Sequence, residues 1–493
     1  MRYNNWWLAA ILVTALASTA VRAQGLLAPG SGAPHRAMGG ASVAAPLDAN
    51  GANYWNPAAI SGLSHSEVAI GGEAAYSDIH LGSSVPFTGA SGRTRSNSGV
   101  SLLSGVGIVN HVEDSRLTVG GGLFTLAGAS VNYEGTPNNP VLAPTGPGGR
   151  VVLGPQFSSL AIFMAAANIA YRVTDRLSVG FGPMVGTSLI SVDPAFFATP
   201  DDANGDGLFT FPPGTHARPF WGGGARAGIY FQATDNIALG VSYASPLWLE
   251  TWRFQSKNEV GAPRELAIKA SFPAILSLGI AYKGIDKLVL ASDVRYMEYA
   301  NTSLFGDLLD WQNIWVVALG AQYQLSDRLS VQAGYIYNQN PVPAVRTLFN
   351  TQVPGIIQHT VSAGISFQMN ENVSMSLGYV HGFKNEISGP IIEDAAAAVT
   401  LDAELDSLVF GLRIEYGAEK KKACLSCDDG TPCAGETMLY DSGAVPANQP
   451  HSAPVAPGNL STGLPVPQQE GRTIPNPDVL YPSSHFGSLN GRE

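Results

Sequence analysis

Charge is scarce in this chain. Asp, Glu, Lys and Arg make up 13% of its 493 residues, where a soluble domain usually carries about 25%. That deficit excludes a surface solvated on all sides. Basic residues are the scarcer sign, 27 Lys and Arg against 38 Asp and Glu, so no basic face is left to hold nucleic acid. Long apolar runs are missing beyond Val21; no later stretch has the ~20 residues that a helix needs to cross a bilayer. Cysteine is confined to Cys424, Cys427 and Cys433, which excludes a disulfide-built scaffold in the preceding chain. The nine histidines are scattered, and no nucleophile motif or Ser-His-acid grouping stands at a shared strand end.

What the chain has instead is a recurring turn. Thr174-Asp175-Arg176-Leu177-Ser178-Val179, Thr234-Asp235-Asn236-Ile237-Ala238-Leu239, Ser326-Asp327-Arg328-Leu329-Ser330-Val331 and Asn370-Glu371-Asn372-Val373-Ser374-Met375 share one plan. Polar residues precede a run that alternates every two residues, the mark of a repeated hairpin. The start of the chain says where such hairpins go. An apolar run from Trp6 to Val21, preceded by Arg2 and closed by Val21-Arg22-Ala23, reads as a secretory signal peptide over residues 1–23. A secreted membrane protein without spanning helices must close its strands into a barrel, because lipid solvates no sheet edge.

Fourteen candidate strands lie between Ser66 and Tyr416. Their connections alternate in length. Those near 110–115, 174–175, 234–235, 284–286, 326–327 and 370–371 are short. Those near 78–97, 128–156, 193–218, 301–312, 339–356 and 385–404 are long and rich in Gly and Pro, and the one near 255–264 is intermediate. Outer-membrane barrels have this asymmetry, with short periplasmic turns and longer outer loops. The expected fold is therefore all-β: a 14-stranded antiparallel transmembrane β-barrel over residues 64–417. Both chain ends fall on the periplasmic side, in the outer membrane of a Gram-negative-type bacterium. Leu239, Val241 and Tyr243, like Leu408, Phe410 and Leu412, belong to the face turned to lipid. Arg172, Arg226, Lys269, Asp293, Arg295, Arg413 and Glu415 share the lumen register, where charges can pair or meet water.

Residues 24–63 sustain no alternation. They contain Ala37-Met38-Gly39-Gly40-Ala41, then Asp48, then Asn56-Pro57-Ala58. This order resembles the N-terminal hatch of the FadL/TodX family of outer-membrane transporters for long-chain fatty acids and aromatic hydrocarbons. Asn236 to Pro246, Phe272-Pro273, Gln312 to Trp315 and Asn340 to Pro343 extend the resemblance over roughly Gln24 to Tyr416. The resemblance implies a barrel plugged by its hatch, with Met38, Gly39, Gly40, Asn56, Pro57 and Ala58 as hatch or gate residues. It implies passive uptake of a hydrophobic small molecule and exit sideways through a kink in the third strand. Gly120-Gly121-Gly122 on that strand are the candidate opening, since glycines accommodate a bend; they equally make room for a plug.

Phe305, Leu308 and Leu309 fall at helix-like spacing in a long loop and suggest a short amphipathic helix; apolar loop residues of this kind either collect ligand or pack on one another to order the loops. A carboxylate head group needs a cationic partner, which Arg226, Lys269 or Arg295 could supply; each could equally be paired to Asp293 or Glu415. Asp202-x-Asn204-x-Asp206-Gly207 opens like a calcium loop but has Pro213 where the bidentate Glu belongs, so a calcium site and a plain Asp/Asn/Gly turn both stand. No other cofactor is implied. Residues 418–493 read as a disordered periplasmic tail with a cysteine cluster and a possible periplasmic contact. That tail departs from a family pattern that ends on the last strand, where the barrel-assembly machinery reads its signal. The competing readings are a barrel enzyme acting on lipid and a general porin.

Overall fold

The computed structural model describes residues 25–143, 151–215, 218–391 and 397–417. The expected signal peptide, Cys424, Cys427, Cys433 and the tail from residue 418 lie outside the described residues. Fourteen antiparallel strands close a barrel. They are β1 (Ser66–Val85), β2 (Ala90–Arg95 and Val100–His111), β3 (Leu117–Tyr133), β4 (Gln156–Arg172), β5 (Leu177–Asp193), β6 (Phe220–Thr234) and β7 (Ile237–Ala244 and Leu247–Leu249). The series continues with β8 (Ser271–Phe272 and Ile275–Ile285), β9 (Leu288–Met297), β10 (Ile314–Ser326), β11 (Leu329–Asn338), β12 (His359–Gln368), β13 (Val373–Pro390) and β14 (Ala398–Tyr416). Closure comes from β1 and β14, paired from Ser66↔Tyr416 to Ser84↔Ala398. No helix among the described residues is long and apolar enough to cross a membrane.

The recurring turn has a physical cause. Its first residue carries a side-chain oxygen that accepts main-chain N–H groups two and three residues on. Thr174 Oγ1 accepts from Leu177 N at 3.0 Å, Ser326 Oγ from Leu329 N at 3.2 Å, and Asn370 Oδ1 from Asn372 N and Val373 N at 3.0 Å each. The chain is thereby reversed before the next alternating run begins. Along that run the outward side chains are apolar and exposed, as with Leu239, Val241 and Tyr243, while Ala238, Gly240 and Ser242 turn inward and are buried. Tyr171, Tyr282, Tyr323 and Tyr416 mark the short-turn rim; Tyr76, Trp221, Trp248, Trp315 and Tyr379 mark the other. Such paired aromatic girdles border the lipid-facing band of a membrane barrel.

Two connections expected to be long are in fact extended hairpins. β1 and β2 run on to a turn at residues 86–89, and β13 and β14 stay paired out to Pro390↔Ala398. Cross-strand ion pairs hold these extensions, with Arg93 on Asp402 at 2.8 Å and Arg95 on Asp78 at 2.7 Å, a kind of contact that stabilises paired strands. The segment between β7 and β8 forms a separate hairpin, Trp252–Lys257 with Pro263–Ile268. Lys269 follows it and is exposed, so it does not enter the lumen as the strand register suggested.

Residues 25–63 fill the lumen. They form α1 (Ala33–Ala37), α2 (Ala49–Trp55) and a 3-10 turn at Ala59–Gly62. Asp48 caps α2 by accepting from Gly51 N at 2.9 Å, satisfying a donor that the first turn leaves open. Pro34 sits in the first turn of α1, where its missing N–H costs nothing.

Candidate functional site

The hatch is tied to the wall by buried charge. Arg36 makes a two-pronged pair with Glu73 of β1, at 2.7 and 2.6 Å. Asp293 of β9 accepts from Ser42 N at 2.8 Å and Val43 N at 3.2 Å. Arg295 pairs with Asp293 at 2.8 Å, donates to Gly40 O and lies 4.0 Å from the centre of the Trp55 ring. Arg226 of β6 donates to the carbonyls of Asn53 and Tyr54 at 2.8 and 2.7 Å and to Asn168 Oδ1 at 3.1 Å. These bonds replace the water that each charge loses on burial.

The six expected hatch residues all touch the barrel or brace the hatch. Met38 is fully buried. Gly39 and Gly40 both have positive φ, which side chains rarely tolerate, and Gly39 N donates to Ser362 Oγ at 3.2 Å. The wall makes room in turn: a Cβ on Gly334 would fall 2.0 Å from Gly39 N. Asn56 Nδ2 donates to Val43 O at 2.8 Å and to Ile229 O of β6 at 3.1 Å, while its Oδ1 accepts from Ala58 N. A Cβ on Gly180 would meet Ala58 N at 2.4 Å and Pro57 C at 2.5 Å.

At the long-loop rim, Phe305, Leu308 and Leu309 come together with Phe196, Phe197 and Trp252 around an apolar pocket of about 750 Å³. The segment is a chain of tight turns rather than the expected helix: Leu309 N reaches Leu304 O and Trp311 N reaches Phe305 O. Phe305 is fully buried between Phe272, Tyr299 and Trp311, at ring distances of 5.2, 5.6 and 4.7 Å. That aromatic stack drives the segment out of helical geometry. Leu308 remains 40% exposed at the pocket.

Behind the pocket lies a larger cavity of about 1570 Å³. The two share Ala129, Ser159 and Leu160 as lining. The cavity reaches the barrel wall between β2 and β3, where the sheet is open. β2 and β3 are in register only from Gly105↔Phe124 to His111↔Thr118. Beyond that β3 bulges at Leu126, as its register with β4 jumps between Thr125 and Ala127. β2 is itself interrupted between Arg95 and Val100. Asn97 N on Asn132 O, at 2.8 Å, closes the gap again. Gly120, Gly121 and Gly122 are paired on both sides and do not form the break. They keep close approaches clear: a Cβ on Gly120 would meet Asn53 Oδ1 at 2.8 Å, and one on Gly121 Ala166 O at 2.5 Å. The opening sits at the bulge just beyond them.

The start of the described chain spans pocket and opening. Gly25 is packed so closely on Tyr299 and Trp311 that a Cβ there would lie 2.7 and 2.8 Å from them. Leu27 bridges to Ala127 and Ala28 N donates to Leu126 O at 2.9 Å. Arg226 borders a third, mainly apolar cavity of about 500 Å³ together with Leu27, Met164 and Met184. Like Arg172, it forms no pair with a carboxylate among the described residues, whereas Arg36, Arg295 and Arg413 do.

The Asp202 loop is a turn stitched to itself. Asp202 Oδ2 accepts from Gly207 N, Asn204 Oδ1 from Asp206 N and Asp206 Oδ1 from Leu208 N, at 3.2, 2.9 and 2.8 Å. No group of three His, Cys, Asp or Glu side chains is placed to hold a metal among the described residues, and the loop has the internal hydrogen bonds of an Asp/Asn/Gly turn. Sequence reasoning missed the Leu126 bulge and the Arg36–Glu73 pair. The bulge had one indirect signal, the adjacent large apolar residues Leu123 and Phe124 a short way before it. The pair had none, as its members are far apart in the chain.

The sequence model of the family described as "Outer membrane protein transport protein (OMPP1/FadL/TodX)" matches residues 12–417. Outer membrane protein P1 of Haemophilus influenzae is 24% identical over 249 residues, 43% of this chain and 53% of that protein. A 47 kDa outer membrane protein of Pasteurella multocida is 22% identical over 225 residues, 40% of this chain and 50% of that one. The chain thus spans about half the length of these curated relatives. Among solved structures, the toluene transporter TodX of Pseudomonas putida has TM-score 0.63 at 18% identity, covering 79% of this chain and 100% of that one. A FadL homologue of Pseudomonas aeruginosa has TM-score 0.62 at 15% identity, covering 80% and 100%. At these identities the likeness establishes the fold.

Proposed function

The chain belongs to the OMPP1/FadL/TodX family of outer membrane transport proteins, and from that premise we propose that it carries hydrophobic small molecules passively from outside the cell into the membrane. The short turns and both chain ends face the periplasm. A ligand leaves water at the Phe305–Leu309 pocket, passes Leu160 into the inner cavity and exits sideways at the Leu126 bulge. The observation that carries this reading is the shared lining of pocket and cavity, which ends at a break in the wall. An apolar path gains roughly 25 cal/mol for each Å² of ligand surface removed from water. The hatch body stays clamped, and the gate is the segment from Gly25 to Pro29, which touches the aromatic floor of the pocket at one end and the bulge at the other.

The buried, acid-free Arg226 favours ligands with a carboxylate, such as long-chain fatty acids, over plain aromatic hydrocarbons, since a buried cation gains most from a desolvated anion. The test is uptake into proteoliposomes carrying the full chain. Dodecanoic acid and toluene should both enter, with small sugars excluded. Free passage of sugars with no uptake of either lipophile would leave a general porin instead.

A further inference from the structure

The opening between β2 and β3 leaves main-chain groups without a strand partner. Ser104 N, on the β3 side of β2, is met by Thr125 Oγ1 at 3.0 Å. Strand residues two apart face the same neighbour, so Val100 and Leu102 also direct their N–H and C=O groups toward β3. There the register supplies nothing, because β3 has parted from β2 beyond Phe124. On the facing rim, Asn132 O is turned toward β2, where it accepts from Asn97 N. The same parity places the main-chain groups of Gly128 and Ser130 in the gap. The hatch covers the rim next to the bulge: Leu27 bridges to Ala127, so that Ala28 N meets Leu126 O and Gly128 N faces Leu26, which leaves Ser130 as the unpartnered position on this rim.

The gap lies high in the lipid-facing band. Val100 is paired across β1 with Tyr76 of the long-loop girdle, and the exposed Leu102 (78%) and Leu123 flank the opening on its lipid side. Open sheet edges against lipid are avoided because each unsatisfied group costs several kcal/mol. An unfilled rim in this position calls for a polar occupant with an apolar remainder. The cavity behind holds a second donor: Arg36 lines it, is 3% exposed, and its Nη1 has no hydrogen-bond partner. Buried polar atoms of this kind are rare and need an explanation. Glu73 already balances the charge of Arg36, so Nη1 offers a hydrogen bond without an electrostatic trap.

We propose that the open rim is a head-group station: the main chain of Val100, Leu102 and Ser130 holds the carboxyl or hydroxyl of an amphipathic lipophile, handed on from Arg36, while its chain slides past Leu102 and Leu123 into the bilayer. The inference rests on the sideways-exit reading above and adds a selectivity: molecules with a hydrogen-bonding head leave faster than bare hydrocarbons of similar size.

Leu102→Pro tests it, because it deletes one rim N–H and no ladder bond, and proline is tolerated at an open strand edge. Leu102→Ala keeps the N–H and serves as control. Proteoliposomes of the full chain are assayed for dodecanoic acid, dodecan-1-ol and toluene. Leu102→Pro should slow the acid and the alcohol about tenfold, the scale of one strong hydrogen bond, with toluene within about twofold of the unaltered protein. Leu102→Ala should leave all three near the unaltered rates. Equal slowing of all three, or of none, overturns the head-group station. If Leu102→Pro fails to give the heat-modifiable band of a folded barrel, Ser130→Pro on the opposite rim carries the same expectation. Deletion of Leu126 separates this inference from its premise. If deletion leaves uptake intact, sideways exit is wrong. If it blocks every ligand while both prolines spare the acid, only the station is wrong.

Discussion

The barrel treats its two sides differently. From β10 to β14 the strands remain paired along their length, and the inner face carries a polar ladder: Gln332 Nε2 bonds Gln322 Oε1 at 3.0 Å and Ser366 Oγ at 2.9 Å, and Ser366 meets Ser376 at 2.8 Å. The cavity on that side, about 810 Å³, is edged by Gln324, Gln368, Ser374 and Arg413. From β2 to β4 the sheet parts, and the cavity behind it runs along Leu27, Leu103, Ala127 and Leu160. Cross-strand hydrogen bonds knit the first side shut. Small and apolar side chains leave the second nothing to knit with. The polar cavity and the proposed ligand route thus lie on opposite sides of one plug, and on that route a hydrophobic ligand need never cross the polar side.

The largest effect should come from erasing that difference. Deleting Leu126 removes the extra residue and lets β3 keep step with β4 throughout. Uptake of every lipophile should fall by at least about tenfold while planar-bilayer conductance stays low, because a closed wall blocks lateral exit without disturbing the hatch clamps. Next in size is Glu73→Gln, which strands the Arg36 charge on the apolar side. Breaking a buried pair by removing one partner costs ~3–5 kcal/mol. The thermal midpoint should drop and the bilayer conductance rise, showing that the hatch is held on the open side by this pair rather than by shape alone.

The sequence showed some of this contrast and hid the rest. Alternation and the Thr/Ser/Asn turns made the barrel and its short-turn rim legible, because strand period and turn chemistry are local. The long-loop rim was less legible. The extensions of β1–β2 and β13–β14 read as loops, since Gly and Ser recur in the first and a run of Ala marks the second, and their support is ion pairing between distant residues such as Arg93 and Asp402. At the site, the Phe305, Leu308 and Leu309 cluster was visible as apolar residues in a polar loop, but its turn geometry depends on Tyr299 and Trp311 packing around Phe305. The glycine triplet drew attention to the correct strand. It lacked the deciding information, which is that the extra residue sits at Leu126, beyond the triplet.

A smaller effect is expected at the entrance to the apolar route. Leu308→Ser removes part of the pocket wall, yet the side chain is already 40% exposed. A partly exposed leucine contributes on the order of 1 kcal/mol to a ligand's burial. The concentration for half-maximal dodecanoic acid uptake should rise a few-fold, with the maximal rate unchanged, because the bulge downstream is untouched.

The smallest effect concerns the polar side and is a matter of pH. His35 is fully buried in α1, and its Nε2 accepts from Leu47 N at 3.2 Å and Asp48 N at 3.4 Å. A ring nitrogen that accepts two N–H groups must be unprotonated. Burial holds the His35 pKa below the usual histidine value, against the opposing pull of Asp48 at 3.6 Å. In the unfolded chain the same imidazole takes its proton near pH 6.5. The contribution of His35 to hatch stability is therefore complete above that pH and shrinks as pH falls from about 6.5 toward the lower folded value. Leu47 and Asp48 both border the polar cavity, so acid should loosen the hatch there first. Conductance for small ions should rise as pH drops below about 6.5, while dodecanoic acid uptake through the apolar side changes less. His35→Gln presents a carbonyl to the same N–H groups and cannot titrate, so its conductance should stay flat across that range. A rise in the variant equal to that in the unaltered protein would place the acid-sensitive group elsewhere.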